Sequence, residues 1–136
     1  MPLTSLCHKY NIRDLYVFGS RAHEISAMVH GRGKISQETD SDIDIGILPE
    51  NIEEWTPKKK VNFTIELEDL LQGGRIDLVL LPEADTYLAL DIIRGELLYT
   101  SDLGQQARYE LYILRRAEDL LPFKKEKIRM ILEEEA

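Results

Sequence analysis

From Ser41 to Leu48 the chain reads Ser-Asp-Ile-Asp-Ile-Gly-Ile-Leu, with isoleucine at 43, 45 and 47 and other residues between. Alternation at period two belongs to a β-strand, whose successive side chains point to opposite faces. A strand with one apolar face must be covered on that face, so the chain needs a sheet backed by other elements. The same alternation sets Asp42 and Asp44 side by side on the opposite face, and a second strand-like run, Arg75-Ile76-Asp77-Leu78-Val79-Leu80-Leu81, carries a third acid. Acids are disfavoured in strands. Two parallel carboxylates repel each other unless a cation lies between them. Asp77 has apolar residues on both sides, as expected of a central strand, where an unpaired carboxylate would cost several kcal/mol. If these two strands adjoin, all three carboxylates converge.

Strand and helix signals alternate along the rest of the chain. Leu15-Tyr16-Val17-Phe18 is a short aromatic and β-branched run stopped by Gly19-Ser20, and a helix follows to about Met28. Residues 29–40, with two glycines and no apolar period, read as a flexible loop. Thr56-Pro57 is a helix start, Phe63, Leu67, Leu70 and Leu71 follow at helical spacing, and Gly73-Gly74 ends the helix. After the strand over 75–81, stopped by Pro82, come a helix carrying Ala84, Leu88 and Ile92, a short edge strand over 96–100, and a long helix over about 105–121. That helix presents Ala107, Leu111, Leu114 and Leu121 on one side; Pro122 interrupts it, and a charged helix starts at about 124. The order predicts one α+β domain over 1–136, a small mixed sheet backed by helices, with a core over about 12–100 and a helical part over about 103–134.

Composition narrows the function classes. With 17 basic against 25 acidic residues and a net charge of −8, the chain has no general attraction to nucleic acid or to an anionic membrane. A phosphate must therefore be held locally or through metal. No apolar run reaches the ~18 residues of a membrane span or resembles a signal peptide, so the expected location is cytoplasmic. The single cysteine, Cys7, excludes an internal disulfide and a multi-cysteine zinc site and reads as a small apolar residue. His8, His23 and His30 have no metal-ligand spacing.

Three oxygen-rich acids suit a hard divalent cation, and Mg²⁺ commonly takes one or two carboxylates together with substrate phosphates. Two such ions ~4 Å apart can serve displacement at phosphorus. Gly19-Ser20, at a strand-to-helix turn, supplies backbone amides and a hydroxyl for phosphate, with Arg21 close by. The Gly-x-Gly-x-x-Gly spacing of a dinucleotide fold is missing, and so is a Gly-x-Ser-x-Gly elbow that would make Ser20 a nucleophile.

Taken in order, Phe18-Gly19-Ser20-Arg21-Ala22, Ser41-Asp42-Ile43-Asp44-Ile45 and Arg75-Ile76-Asp77-Leu78-Val79 resemble the DNA polymerase beta-like nucleotidyltransferase superfamily, above all its minimal nucleotidyltransferase (MNT) branch. The resemblance covers nearly the whole chain. It implies that Gly19 and Ser20, with Arg21 nearby, hold nucleotide phosphates, that Asp42 and Asp44 bind two Mg²⁺ ions, and that Asp77 completes the catalytic metal site. The implied reaction is attack of an acceptor hydroxyl on the α-phosphorus of ATP, releasing pyrophosphate. Members of the branch are typically antitoxins paired with a HEPN-domain RNase toxin, so the resemblance also implies AMP transfer to a tyrosine of such a toxin within a hetero-oligomer. One departure is the 21 residues between Ser20 and Asp42, a longer connection than the branch usually has. Two other readings stay open: an antitoxin that acts by binding alone, and an enzyme that nucleotidylates a small molecule. Tyr109, Tyr112 and Ile113 on the long helix are candidates for either a docking face or the core.

Overall fold

The computed structural model describes residues 2–33 and 41–135. Its elements run α1 (Pro2–Lys9), β1 (Ile12–Phe18), α2 (Ala22–Val29), β2 (Ile43–Pro49), α3 (Pro57–Leu71), β3 (Ile76–Leu80), α4 (Thr86–Ile93), β4 (Glu96–Thr100) and α5 (Leu103–Glu135). The four strands form one sheet in the order β3-β2-β1-β4. β1 is antiparallel to both β2 and β4, whereas β2 and β3 are parallel, so the sheet is mixed as the sequence predicts. Of the predicted loop over 29–40, residues 34–40 lie outside the described residues.

Both faces of the sheet are covered. Ile43, Ile45 and Ile47 are fully buried with Leu15, Val17, Leu78 and Leu80 on the face packed by α1, α2 and α3, where Cys7, Ile25, Phe63 and Leu67 meet them. Burial pushes the Cys7 thiol up to about 12, which makes it inert packing. The opposite face carries Tyr16, Leu48, Ala89, Ile92 and Ile113 and is covered by α4 and the first half of α5. Gly46 belongs to this second face, and its missing side chain is required: an added Cβ would stand 2.5 Å from Cγ2 of Ile92. Local sequence sets the helix starts, since Thr56 accepts from the Lys59 amide at 3.1 Å and Asp85 from the Leu88 amide at 2.8 Å.

Four expectations change. α1 is an element beyond those the sequence predicts, although Leu3, Leu6, Cys7 and Tyr10 carry the helical spacing that docks it. β3 is an edge strand, not a central one; Ile76, Leu78 and Leu80 are buried on the face packed by α3, while on the other face Val79 is half-buried and Asp77 is exposed. α5 continues through Pro122 without interruption. At that point the helix has left the sheet, and its exposed surroundings let water satisfy the carbonyl that proline cannot pair. Finally, Gln106, Tyr109 and Ile113 face the body of the protein, while Leu111, Leu114 and Leu121 are exposed and Tyr112 is half exposed. Among the described residues no helix is long and apolar enough to cross a membrane.

Candidate active site

The site is built where β1 and β2 lie side by side and β2 meets β3. Phe18, the last residue of β1, pairs with Asp44, and on the other side Asp44 pairs with Asp77. The two acids therefore occupy one rung and, by alternation, one face, the same face as Gly46 and Val79. That face is covered by α4 only beyond Gly46, which leaves Asp44 at the uncovered end. Asp42 stands just before β2, exposed, and not within the strand as the alternation alone suggests.

Charge and burial act together on Asp44. Partial burial raises its carboxyl above the ordinary value, and the neighbouring charges of Asp77 and then Asp42 raise it further. Asp44 is thus near enough to feel both of the other acids. Among the described residues, however, no three His, Cys, Asp or Glu side chains are clenched around one point at metal-holding distance. Hard, anionic oxygens whose mutual cost a divalent cation would offset fit Mg²⁺ in donor chemistry and in charge.

Gly19 ties the turn to this corner. Its φ of +78° is a left-handed conformation that glycine adopts freely, and an ideal Cβ there would lie far inside contact distance of Asp44 Oδ2 and 3.3 Å from Cγ. The backbone thus passes directly beneath the Asp44 carboxylate. Ser20 is exposed next to it, and α2 begins two residues later without a side-chain cap on its first amides. Backbone N–H groups at a helix start beside carboxylates can hold a metal-bound phosphate.

Arg21 is placed differently from its neighbours. It is only 4% exposed, and its guanidinium donates to Glu24 Oε1 at 2.7 Å, to the Ser41 carbonyl at 3.1 Å and to the Gly73 carbonyl at 2.6 Å. The sequence alone suggests Arg21 beside phosphate and gives no sign of these backbone partners, which lie 20 and 52 positions away. A basic residue after a glycine turn carries no local signal of them. Two of the three histidines are engaged elsewhere: His8 stacks edge-on against Tyr99, and His30 Nδ1 lies 2.7 Å from the Ser26 carbonyl.

A family model for "Polymerase beta, Nucleotidyltransferase" matches residues 2–103. No curated protein matches the chain in sequence. Among solved structures, a chain of a mutant toxin-antitoxin MntA-HpeT complex superposes with a TM-score of 0.71 at 17% identity, covering 96% of this chain and 95% of that one. A toxin-antitoxin structure with AMP-PNP superposes with a TM-score of 0.68 at 18% identity, covering 96% of both chains. A tri-AMPylated Shewanella oneidensis HEPN toxin in complex with MNT antitoxin gives 0.66 at 16% identity, covering 96% of this chain and 92% of that one. At these identities the likeness is one of fold.

Proposed function

The chain belongs to the polymerase beta nucleotidyltransferase family, and on that premise we propose that it is a metal-dependent nucleotidyltransferase, an antitoxin that transfers AMP from ATP to a tyrosine of a cognate HEPN toxin. The observation that carries the reading is the rung of Asp44 and Asp77 with Asp42 beside it, above the Gly19 turn. The solved relatives support the choice of partner and nucleotide, one being a structure with AMP-PNP and another a tri-AMPylated toxin.

The residues divide the work by position. Asp42 and Asp44 would hold Mg²⁺, with Asp77 completing the set. When bound, the metal supplies charge neutralisation on the triphosphate and on the developing pyrophosphate. Gly19 and Ser20, with the first amides of α2, orient the phosphates so that the α-phosphorus faces the acceptor. The tyrosine oxygen forms a bond to that phosphorus as the bond to the bridging oxygen of pyrophosphate breaks. A tyrosine of pKa ~10 must lose its proton on the way, and Asp77, exposed on β3, would accept it and release it to water. An acceptor site on an exposed strand edge suits a protein-borne tyrosine, which brings its own surroundings.

The test is intact-mass spectrometry of the cognate HEPN protein after incubation with this chain, ATP and Mg²⁺. Gain of one or more AMP masses with the wild type, and none with Asp42→Ala/Asp44→Ala, is expected. An unmodified partner that still forms a stable complex would overturn the enzymatic reading in favour of an antitoxin acting by binding.

A further inference from the structure

We propose that Arg21 is a positioning residue of the transfer site, a clasp that fixes the three segments carrying its groups, and not a ligand of phosphate. The inference rests on the nucleotidyltransferase reading above. Arg21 follows Ser20 directly, so its backbone belongs to the phosphate turn. One guanidinium nitrogen, Nη1, donates both to the carbonyl of Ser41, the residue before Asp42, and to the carbonyl of Gly73, on the approach to β3 and Asp77. The Nε donates to Glu24 on the first turn of α2. One buried side chain thus spans the glycine turn, the entry to β2 and the entry to β3. The adjoining link, the Ile43 amide bonded to the Arg75 carbonyl at 2.8 Å, joins the same two entries.

The chemistry explains why arginine stands here. A buried cation is tolerated when its hydrogens are matched, and the planar guanidinium offers donors in several fixed directions, here to two carbonyls and a carboxylate. An ammonium on a flexible stem cannot span them in the same geometry. A group whose donors point at backbone within the protein is also poorly placed to reach phosphate at the exposed turn. What it can do is hold Asp42 and Asp77 at a fixed offset from Gly19, and catalysis by positioning is sensitive to that offset.

The two roles part in kinetics. Arg21→Lys keeps the charge and loses the span. As a clasp, the variant has a kcat for AMP transfer lowered about 10- to 100-fold with KM for ATP within about threefold of wild type. In protein without nucleotide, amide hydrogen exchange quickens over 41–44 and 75–77 and stays unchanged over 12–17. A KM for ATP raised about tenfold or more with exchange unchanged would mark a phosphate ligand and overturn the proposal. A uniform rise in exchange would mark general loosening and overturn it too. Should Arg21→Lys fail to fold, Glu24→Gln weakens the clasp from its far side, with the same pattern expected at smaller size and wild-type kinetics and exchange contradicting it. If the wild type transfers no nucleotide, the functional reading fails, and the exchange comparison still decides the clasp.

Discussion

Replacing Gly19 by alanine acts on stability and on chemistry by separate routes whose sizes follow from the structure. The first is backbone strain: at φ +78° an L-residue with a Cβ costs about 1–2 kcal/mol. For a chain of this size that corresponds to a fall in Tm of roughly 3–10 °C. The second route is contact. The new Cβ would press on the Asp44 carboxylate, whose oxygen must withdraw to 3.4 Å or more for ordinary contact. That is a displacement of about 1 Å, and a shift of that size at a reacting centre costs about 100-fold in rate. Gly19→Ala is therefore expected to remain folded at 25 °C, melt somewhat lower, and transfer AMP about 100-fold more slowly. Thermal denaturation by circular dichroism and initial rates of pyrophosphate release, measured on the same preparation, check both numbers. A variant with wild-type turnover, or one whose lost activity equals its unfolded fraction, would refute the claim that this turn sets the position of Asp44.

Other outcomes follow from the same geometry. Asp44→Asn removes a partly buried charge from beside Asp77 and Asp42 and should abolish transfer while raising stability by a few tenths of a kcal/mol, read as a small upward shift in Tm. Asp14 is buried in β1; its Oδ1 accepts from Thr100 Oγ1 at 2.7 Å and its Oδ2 has no partner among the described residues. Burial raises its carboxyl above 3.8 against the opposing effects of Thr100 and Arg13. A raised folded-state value means that the native state holds its proton longer than the unfolded chain. Its contribution to stability is therefore full below pH 3.8 and is lost as pH rises through the folded-state value. Asp14→Asn should flatten that slope in denaturant titrations run at a series of pH values and raise stability at neutral pH. Gly46→Ala forces a methyl against Ile92 and should cost about 1–3 kcal/mol by urea denaturation. Joined to Ile92→Ala, it should cost less than the sum of the two single changes.

The elements most legible in the sequence were those whose pattern is local. The 43-45-47 isoleucines, the Thr56-Pro57 start, the Gly19 turn and the strand around Asp77 each read correctly as strand, helix, turn and strand, because period and capping are properties of neighbouring residues; Asp42 alone falls one residue outside the strand the alternation predicts. α1 was missed because eight residues with a few apolar positions are a weak signal without knowing that α3 and β1 wait to cover them. β3 was misplaced because a mostly apolar run reads the same at the edge of a sheet as at its centre, and the exposure of Asp77 depends on which strand lies beyond it. Pro122 misled because the rule against interior proline assumes that the lost bond is costly, and on an exposed helix water lowers that cost. The convergence of Asp44 and Asp77 was conditional on strand adjacency, which the parallel pairing of β2 and β3 supplies. The partners of Arg21 were illegible: two are carbonyls far along the chain, and backbone carbonyls leave no trace in a sequence.

The measurement that bears most directly on the account is calorimetric titration of this chain alone with a non-hydrolysable ATP analogue, with and without Mg²⁺, for the wild type and for Asp42→Ala/Asp44→Ala. Binding that requires Mg²⁺ and is lost in the double variant is expected, with the fold unchanged by circular dichroism. Binding of equal strength without the metal, or equal binding by the double variant, would contradict the assignment of the three carboxylates to a metal-nucleotide site.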